Sequence, residues 1–200
     1  MRFNSTPLAV FDFDGTLYAG DTTLDFCRYY YLQKPWKIYW LVIQVMGWVL
    51  WKSSLINTSK FKQWFHCYLR GETEKQLMVM VQAFWQKPRK FNSQIVECLQ
   101  LCSKNHLQIV LISASPEFFL IPLLKQFPIN NIIGTSLTII EKKPCLGINC
   151  RGKEKLNRLY SMYPNSEILE AYSDNEDDAE LLNSAAKGFM IKNGQILLGE

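Results

Sequence analysis

Leu8-Ala-Val-Phe-Asp-Phe-Asp14 begins as an unbroken apolar run and ends in carboxylates, and Gly15-Thr16 then interrupts it. A short apolar run closed by a turn reads as a buried strand. From about residue 20 to 88 no comparable strand run appears. That region reads as helices separated by Lys34-Pro35, Ser53-Ser54, Asn57 to Ser59 and Gly71 to Thr73, with Thr73-Glu-Lys-Gln76 as a capping box opening the last helix. After Lys87-Pro88 the period changes. A helix at about 92–104 precedes the apolar run Leu107 to Ile112, which ends in Ser113-Ala-Ser115; a helix from Pro116 to about Gln126 follows. Asn131 to Ile140 is β-rich, Glu154 to Tyr163 is helical, and Ile168 to Tyr172 is another strand ending at Ser173-Asp174. The tail, Gly188 to Leu198, carries the hairpin-turn pair Asn193-Gly194. Strands alternating with helices predict an α/β fold with a doubly wound parallel sheet. Residues 1–19 and 89–200 form its core, and residues 20–88 a helical insertion after the first strand.

Composition sharpens this division. The chain has 200 residues, 48% of them hydrophobic, enough to bury a core in one domain with a sizeable insertion. Its net charge of +4 is unevenly spread. Residues 26–71 hold seven basic side chains, no acid, and 13 of the 27 aromatics, whereas the rest of the chain carries 15 basic against 18 acidic side chains. An anionic or apolar partner suits that segment. Six cysteines form no CxxC pair, and His66 and His106 are the only histidines. A structural zinc or a disulfide framework is not expected. Cys98 and Cys102 share a helix face and read as ordinary core thiols. The N-terminus lacks a long apolar signal core, so the expected compartment is the cytoplasm. Nucleic acid is not expected as a partner, and the oligomeric state is left open.

In doubly wound sheets ligands sit beyond the carboxyl ends of the strands. Three predicted strands end there in reactive groups. Asp12 and Asp14 lie on one side of an extended chain, although the turn at Gly15 can rotate the second away. Carboxylates gathered at a strand end repel, and a divalent cation is the usual compensation. Asp174, with Asp177 and Asp178 after it, supplies further ligands, or else decorates a helix N-terminus. Ser113 would offer a phosphate its hydroxyl, beside the free N–H groups of the helix near Pro116. Gly152-Lys-Glu-Lys155 offers a cation, or is simply helix surface.

In this order the residues resemble the haloacid dehalogenase superfamily of phosphotransferases. The resemblance rests on Asp12-Phe-Asp-Gly-Thr16, the strand ending in Ser113, the lysines at 153 and 155, and Asp174 with Asp178. The spacing is similar to subfamily IB, with a small C1-type cap, which contains phosphoserine phosphatases. Ala171 to Leu182 is closer to C-type phosphatidylglycerophosphatases. The resemblance implies a phosphatase in which Asp12 attacks phosphorus and Asp14 serves as general acid and base. It implies Mg²⁺ held by the Asp12 carboxylate, the Asp14 carbonyl and Asp174, with Asp178 acting through water or a neighbour. Ser113, a lysine and backbone N–H groups near Asp14, Gly15 and Ala114 would hold the phosphoryl oxygens. Phosphoserine phosphatases point to Lys153, and the lipid phosphatase pattern to Lys155. Asp21 falls where the former place a substrate-reading glutamate, but their cap arginine has no counterpart.

Lys34 to Lys52 holds four of the six tryptophans. As helix, its uncharged run Ile38–Trp51 reaches about 21 Å, short of the ~30 Å hydrocarbon core. Lys37, Trp40, Gln44, Gly47, Trp48 and Trp51 share one arc, and aliphatic residues cover the rest. The aliphatic face packs inward, or lies on an anionic membrane beside Lys37 and Lys52, or else serves a re-entrant or oligomer-forming contact. The second reading makes the substrate a phosphorylated lipid headgroup. The alternatives are a soluble metabolite phosphatase and a non-catalytic binding module on a phosphatase core.

Overall fold

A computed structural model describes residues 7–197. The first six residues, on which the leaderless reading partly rests, and Leu198 at the end of the tail lie outside them. In chain order the elements are β1 (Leu8–Asp12), α1 (Thr22–Gln33), α2 (Trp40–Lys52), α3 (Thr58–Phe65), α4 (Glu74–Gln86) and α5 (Ser93–Lys104). Then come β2 (Gln108–Pro116), α6 (Glu117–Leu120), β3 (Asn131–Thr135), β4 (Leu137–Ile140), β5 (Lys143–Leu146), α7 (Lys153–Met162), β6 (Ile168–Ser173), α8 (Ala179–Asn183), β7 (Lys187–Lys192) and β8 (Gln195–Ile196). The main sheet runs β3-β2-β1-β6-β7-β8, parallel except for the antiparallel edge strand β8. This is the α/β fold expected.

Every residue of β1 is buried, because both faces of the sheet are covered. Ala9 and Phe11 face one core with α5 and the helical insertion, while Leu8 and Val10 face another with α7 and α8. The insertion has no separate core: Phe26 lies 4.5 Å from Phe119, and Trp85 Nε1 donates to Phe119 O at 2.6 Å. The expected breaks hold. α1 stops before Lys34-Pro35, Thr73 and Gln76 form the reciprocal capping box of α4, and Asn193 and Gly194 take the positive φ of the β7–β8 turn.

Two expectations need correction. The helix expected from Pro116 to Gln126 is one α-turn followed by a 3-10 segment, Ile121–Lys125, because Pro122 lacks an N–H for a continuing α-helix. The β-rich run from Asn131 divides at Ser136 into β3 and the separate hairpin β4–β5. That hairpin braces the insertion: Gln63 Nε2 donates to Pro144 O at 2.6 Å, and Leu146 N donates to Gln63 Oε1 at 2.9 Å.

α2 packs with its polar, small-residue arc inward. Gln44 and Gly47 are its buried residues. Gln44 Nε2 donates to Phe65 O at 2.7 Å and its Oε1 accepts from Tyr31 OH at 2.8 Å. A Cβ at Gly47 would come within 3.3 Å of Trp64 Cβ, so the absent side chain permits the close approach of α3. Much of the aliphatic face therefore points outward, with Val42 63% and Met46 53% exposed, while Leu41 and Val45 line a cavity. The inward-packing alternative fails for this helix. Among the described residues no helix is long and apolar enough to cross a membrane.

The start of α2 is tied down by charge. Buried Glu72 Oε1 accepts from Lys34 Nζ at 2.6 Å, Lys37 Nζ at 2.8 Å and Tyr30 OH at 2.6 Å. Burial alone would raise the Glu72 pKa, but these hydrogen bonds outweigh it and hold the carboxyl at about 2. A depressed carboxyl stabilises the fold above its unfolded value, and the contribution is lost as pH falls from about 5 toward 2. Glu72→Gln is expected to cost about 2 kcal/mol at pH 7 and much less at pH 3, measured by urea denaturation at both values.

Candidate active site

The site begins where β1 stops. Asp12 is its last residue, level with β6 in the sheet register, so the loop carrying Asp174 emerges beside it. Chain reversal after Asp12 needs Gly15 at φ +79°, and a Cβ there would lie 2.0 Å from Asp174 Oδ2. Only glycine meets both demands. The turn is closed by Gly15 N–H bonding to Tyr18 O at 2.8 Å and Gly20 O at 3.2 Å. That N–H is therefore not free for phosphate, contrary to expectation. Thr16 Oγ1 accepts from Asp174 N at 2.9 Å and donates to Asp174 Oδ1 at 3.3 Å, joining the two strand ends.

Lys155, near the start of α7, is the buried cation of the site. Its Nζ donates to Asp12 Oδ1 at 2.7 Å and Asp178 Oδ2 at 2.6 Å. Ser173 Oγ also donates to Asp178 Oδ2, at 2.6 Å. Burial pushes the Asp12 carboxyl up to about 7 while Lys155 pulls the other way. Burial disfavours charge on Lys155 too, but the two acids outweigh it and raise its pKa. Of the two candidate lysines, Lys153 is outside this cluster: it is 79% exposed and pairs with Glu180 at 2.9 Å.

Asp14 points away from Asp12. Its Oδ1 accepts from Thr22 N at 2.6 Å and Thr22 Oγ1 at 2.5 Å, and its Oδ2 from Ser115 Oγ at 2.6 Å and Ser113 Oγ at 3.3 Å. Burial raises its pKa, against these hydrogen bonds. Ser113 Oγ also accepts from Ser115 N at 3.0 Å. Ser113 to Ser115 fall where the β2–β3 register breaks, between Ile112 and Pro116. Ala114 presents its carbonyl to Lys62 Nζ and Thr135 Oγ1, both at 2.8 Å. Asp21 caps α1, accepting from Leu24 N at 2.8 Å.

Hard oxygen donors suit a divalent cation such as Mg²⁺. Asp12 and Asp174 offer carboxylates, and buried Asp178 Oδ1 has no hydrogen-bond partner. Among the described residues no three acidic, His or Cys side chains converge as a ready metal cluster. The Asp14 carboxylate is committed to three hydroxyls and the Thr22 N–H, so the side chains that fit a cation are those of Asp12, Asp174 and Asp178.

Asp14 lines a cavity of about 640 Å³ together with Asp21, Lys62, Ala114, Ser115 and Arg151, and with the apolar side chains of Leu24, Leu41, Val45, Trp48, Phe61 and Phe65. His66 lies in the same wall with its Nδ1 2.8 Å from Lys62 O; burial drives its pKa down to about 4, so the ring is neutral. Sequence reasoning gave no role to Thr16, Thr22, Ser115 or Lys62; Thr16 carried a signal as the last residue of Asp12-Phe-Asp-Gly-Thr16, and Ser115 as the second hydroxyl of Ser113-Ala-Ser115.

A model of haloacid dehalogenase-like hydrolases matches residues 9–183. The chain belongs to this family. Among curated proteins this hydrolase is similar to Protein CicA of Caulobacter vibrioides, 27% identical over 94% of this chain and 87% of CicA. Among solved structures it is similar to a protein of unknown function from Bordetella pertussis, with TM-score 0.73, 16% identity, and coverage of 90% and 87% of the two chains. A probable phosphoserine phosphatase from Vibrio cholerae aligns with TM-score 0.66 and 14% identity, over 90% of this chain and 54% of that one. At such identities these structures share the fold of this hydrolase.

The two lysines of α7 separate experimentally. Lys155→Met leaves two buried carboxylates uncompensated and is expected to cost about 3–5 kcal/mol of stability. Lys153→Met removes an exposed pair and should stay within about 0.5 kcal/mol, both read from urea midpoints.

Proposed function

We propose that this chain is a Mg²⁺-dependent phosphomonoester hydrolase of subfamily IB, with residues 20–88 as a C1-type cap, acting on a phosphorylated lipid headgroup such as phosphatidylglycerol phosphate. The carrying observation is the divergence of Asp12 and Asp14. Asp12 is held against Lys155, while Asp14 faces the cavity in a cradle of Thr22, Ser113 and Ser115.

In this mechanism an Asp12 carboxylate oxygen forms a bond to phosphorus as the ester oxygen leaves. Asp14 delivers its proton to that oxygen, a role that its burial-raised pKa favours. Water then attacks the aspartyl-phosphate, Asp14 takes the water's proton, and the bond between phosphorus and Asp12 breaks to release phosphate. Lys155 holds Asp12 in place and offsets negative charge, with Ser113 and the Ala114 backbone beside the phosphoryl group. Asp12, Asp174 and the Asp14 carbonyl would hold Mg²⁺, which when bound supplies charge stabilisation to the phosphoryl oxygens, with Asp178 supporting. Asp21 lies where it can meet the leaving group.

The apolar wall of the cavity and the outward aliphatic residues of α2 support an amphiphilic substrate taken at the cytoplasmic face of an anionic membrane. Lys52, the last residue of α2, and Lys60 in α3 are exposed. Lys37 is engaged with Glu72 and is not available as expected.

Asp12→Asn is expected to lower Mg²⁺-dependent phosphate release by about a thousandfold or more. Full activity in that variant would exclude Asp12 as the nucleophile. On vesicles containing anionic lipid, sedimentation should be strong at low salt and weaken at high salt. Val42→Glu should reduce it with stability changed by less than about 0.5 kcal/mol. Turnover of phosphoserine alone, without vesicle binding, would instead favour a soluble-metabolite phosphatase.

A further inference from the structure

We infer that Lys62 anchors a second anion subsite, which recognises a negatively charged group on the leaving side of the phosphoester. The inference rests on the phosphatase reading and narrows its substrate to esters whose leaving group is itself anionic. Lys62 comes from α3 and crosses to the sheet, donating to Ala114 O at 2.8 Å and Asn149 Oδ1 at 2.6 Å. Both acceptors are neutral. The other cations lining the cavity have carboxylates: Arg151 pairs with Asp177 at 2.6 Å and Arg28 with Asp25 at 3.3 Å. Among the described residues Lys62 has no such ion pair. A partly buried ammonium held only by neutral acceptors retains an unmet demand for negative charge. Burial, followed by the nearby Arg151, pushes its pKa down to about 8, the expected response to that demand.

The placement of the cavity says which part of a substrate Lys62 would meet. Asp14 lines it, whereas Asp12, Lys155 and Asp174 do not. The cavity thus lies on the proton donor's side of the site, where the departing alcohol sits, and Lys155 already serves the nucleophile's side. Asp14 and Asp21 favour the charge on Lys62 from a distance but form no ion pair with it: Asp14 is held by Thr22 and the two serines, and Asp21 Oδ1 accepts from the Leu24 N–H. Leu24, Leu41, Val45, Trp48, Phe61 and Phe65 line the same cavity, so a leaving group that carries both an anionic group and a hydrocarbon portion suits it. A phosphodiester and a carboxylate share the required chemistry.

The test compares propyl phosphate with its ω-carboxylate and ω-(methyl phosphodiester) analogues, using wild type, Lys62→Met and Lys62→Arg. The wild type should prefer at least one anionic ester by about tenfold in kcat/KM, carried mainly by KM, as expected for one charge-assisted contact. Lys62→Met should reduce that ratio to about threefold or less, and Lys62→Arg should restore most of it. The better of the two anionic esters identifies the group recognised. Equal loss on all three esters would mean that Lys62 serves the transferred phosphoryl group and would overturn the subsite, as would an unchanged ratio in Lys62→Met. If no ester turns over, the phosphatase reading fails separately. Calorimetry with propylphosphonate and its two ω-anionic analogues then decides the subsite: a preference that disappears in Lys62→Met supports it, and equal binding overturns it. Thermal unfolding of both variants separates misfolding from lost recognition, and a Lys62→Arg protein that folds but shows no preference also overturns it.

Discussion

The buried ammonium of Lys155 is the contact on which the rest of the site depends. It joins α7 to the end of β1 and to the turn that follows β6 by pairing with Asp12 and Asp178, both of which are desolvated. These two buried carboxylates repel, and removing the lysine would leave both uncompensated. The neighbouring structure follows from that cluster. Ser173 completes Asp178, Thr16 links the β1 turn to Asp174, and Gly15 leaves the space into which Asp174 fits. A single charge network thus sets where the strand ends stand relative to one another.

Chain reversal at Gly15 gives two aspartates two residues apart opposite environments. Asp12 remains against a cation, while Asp14 rotates into a set of hydroxyls and one backbone N–H. The proposed division into a nucleophile and a proton carrier draws on that difference in surroundings, since the side chains are the same. The helical insertion supplies half of that second environment through Thr22, and it closes the space above Asp14 with Lys62 and the apolar wall.

α2 shows how packing can invert the usual meaning of an amphipathic pattern. Its inward contacts need the amide of Gln44, which meets a backbone carbonyl and a tyrosine hydroxyl, and the absent side chain of Gly47. Gln44 and Gly47 are consumed by hydrogen bonding and close approach, and the aliphatic residues are left to the outer surface, as Val42 and Met46, or to the cavity wall, as Leu41 and Val45. An exposed apolar surface on a helix that ends in exposed Lys52 is compatible with contact to an anionic interface.

Much of this was legible in the chain. The apolar run before Asp12, the Thr73 capping box and Asn193-Gly194 act through neighbours close in sequence, so their outcome is local. The strand-end acids and Ser113 were legible for the same reason, since a strand's end marks the ligand edge of a parallel sheet. Choices between equivalent residues needed the folded neighbours. Lys153 and Lys155 are indistinguishable until α7 packs and only one of them meets β1 and Asp178. The commitment of the Gly15 N–H, the direction of Asp14, the β4–β5 brace and the reach of Lys62 across the cavity likewise depend on contacts between distant segments. The sequence by itself determined which chemistry the strand ends carry, because that depends on residue type and local periodicity. Tertiary structure decided which copies of that chemistry face one another, because burial and hydrogen bonding arise only when those segments meet.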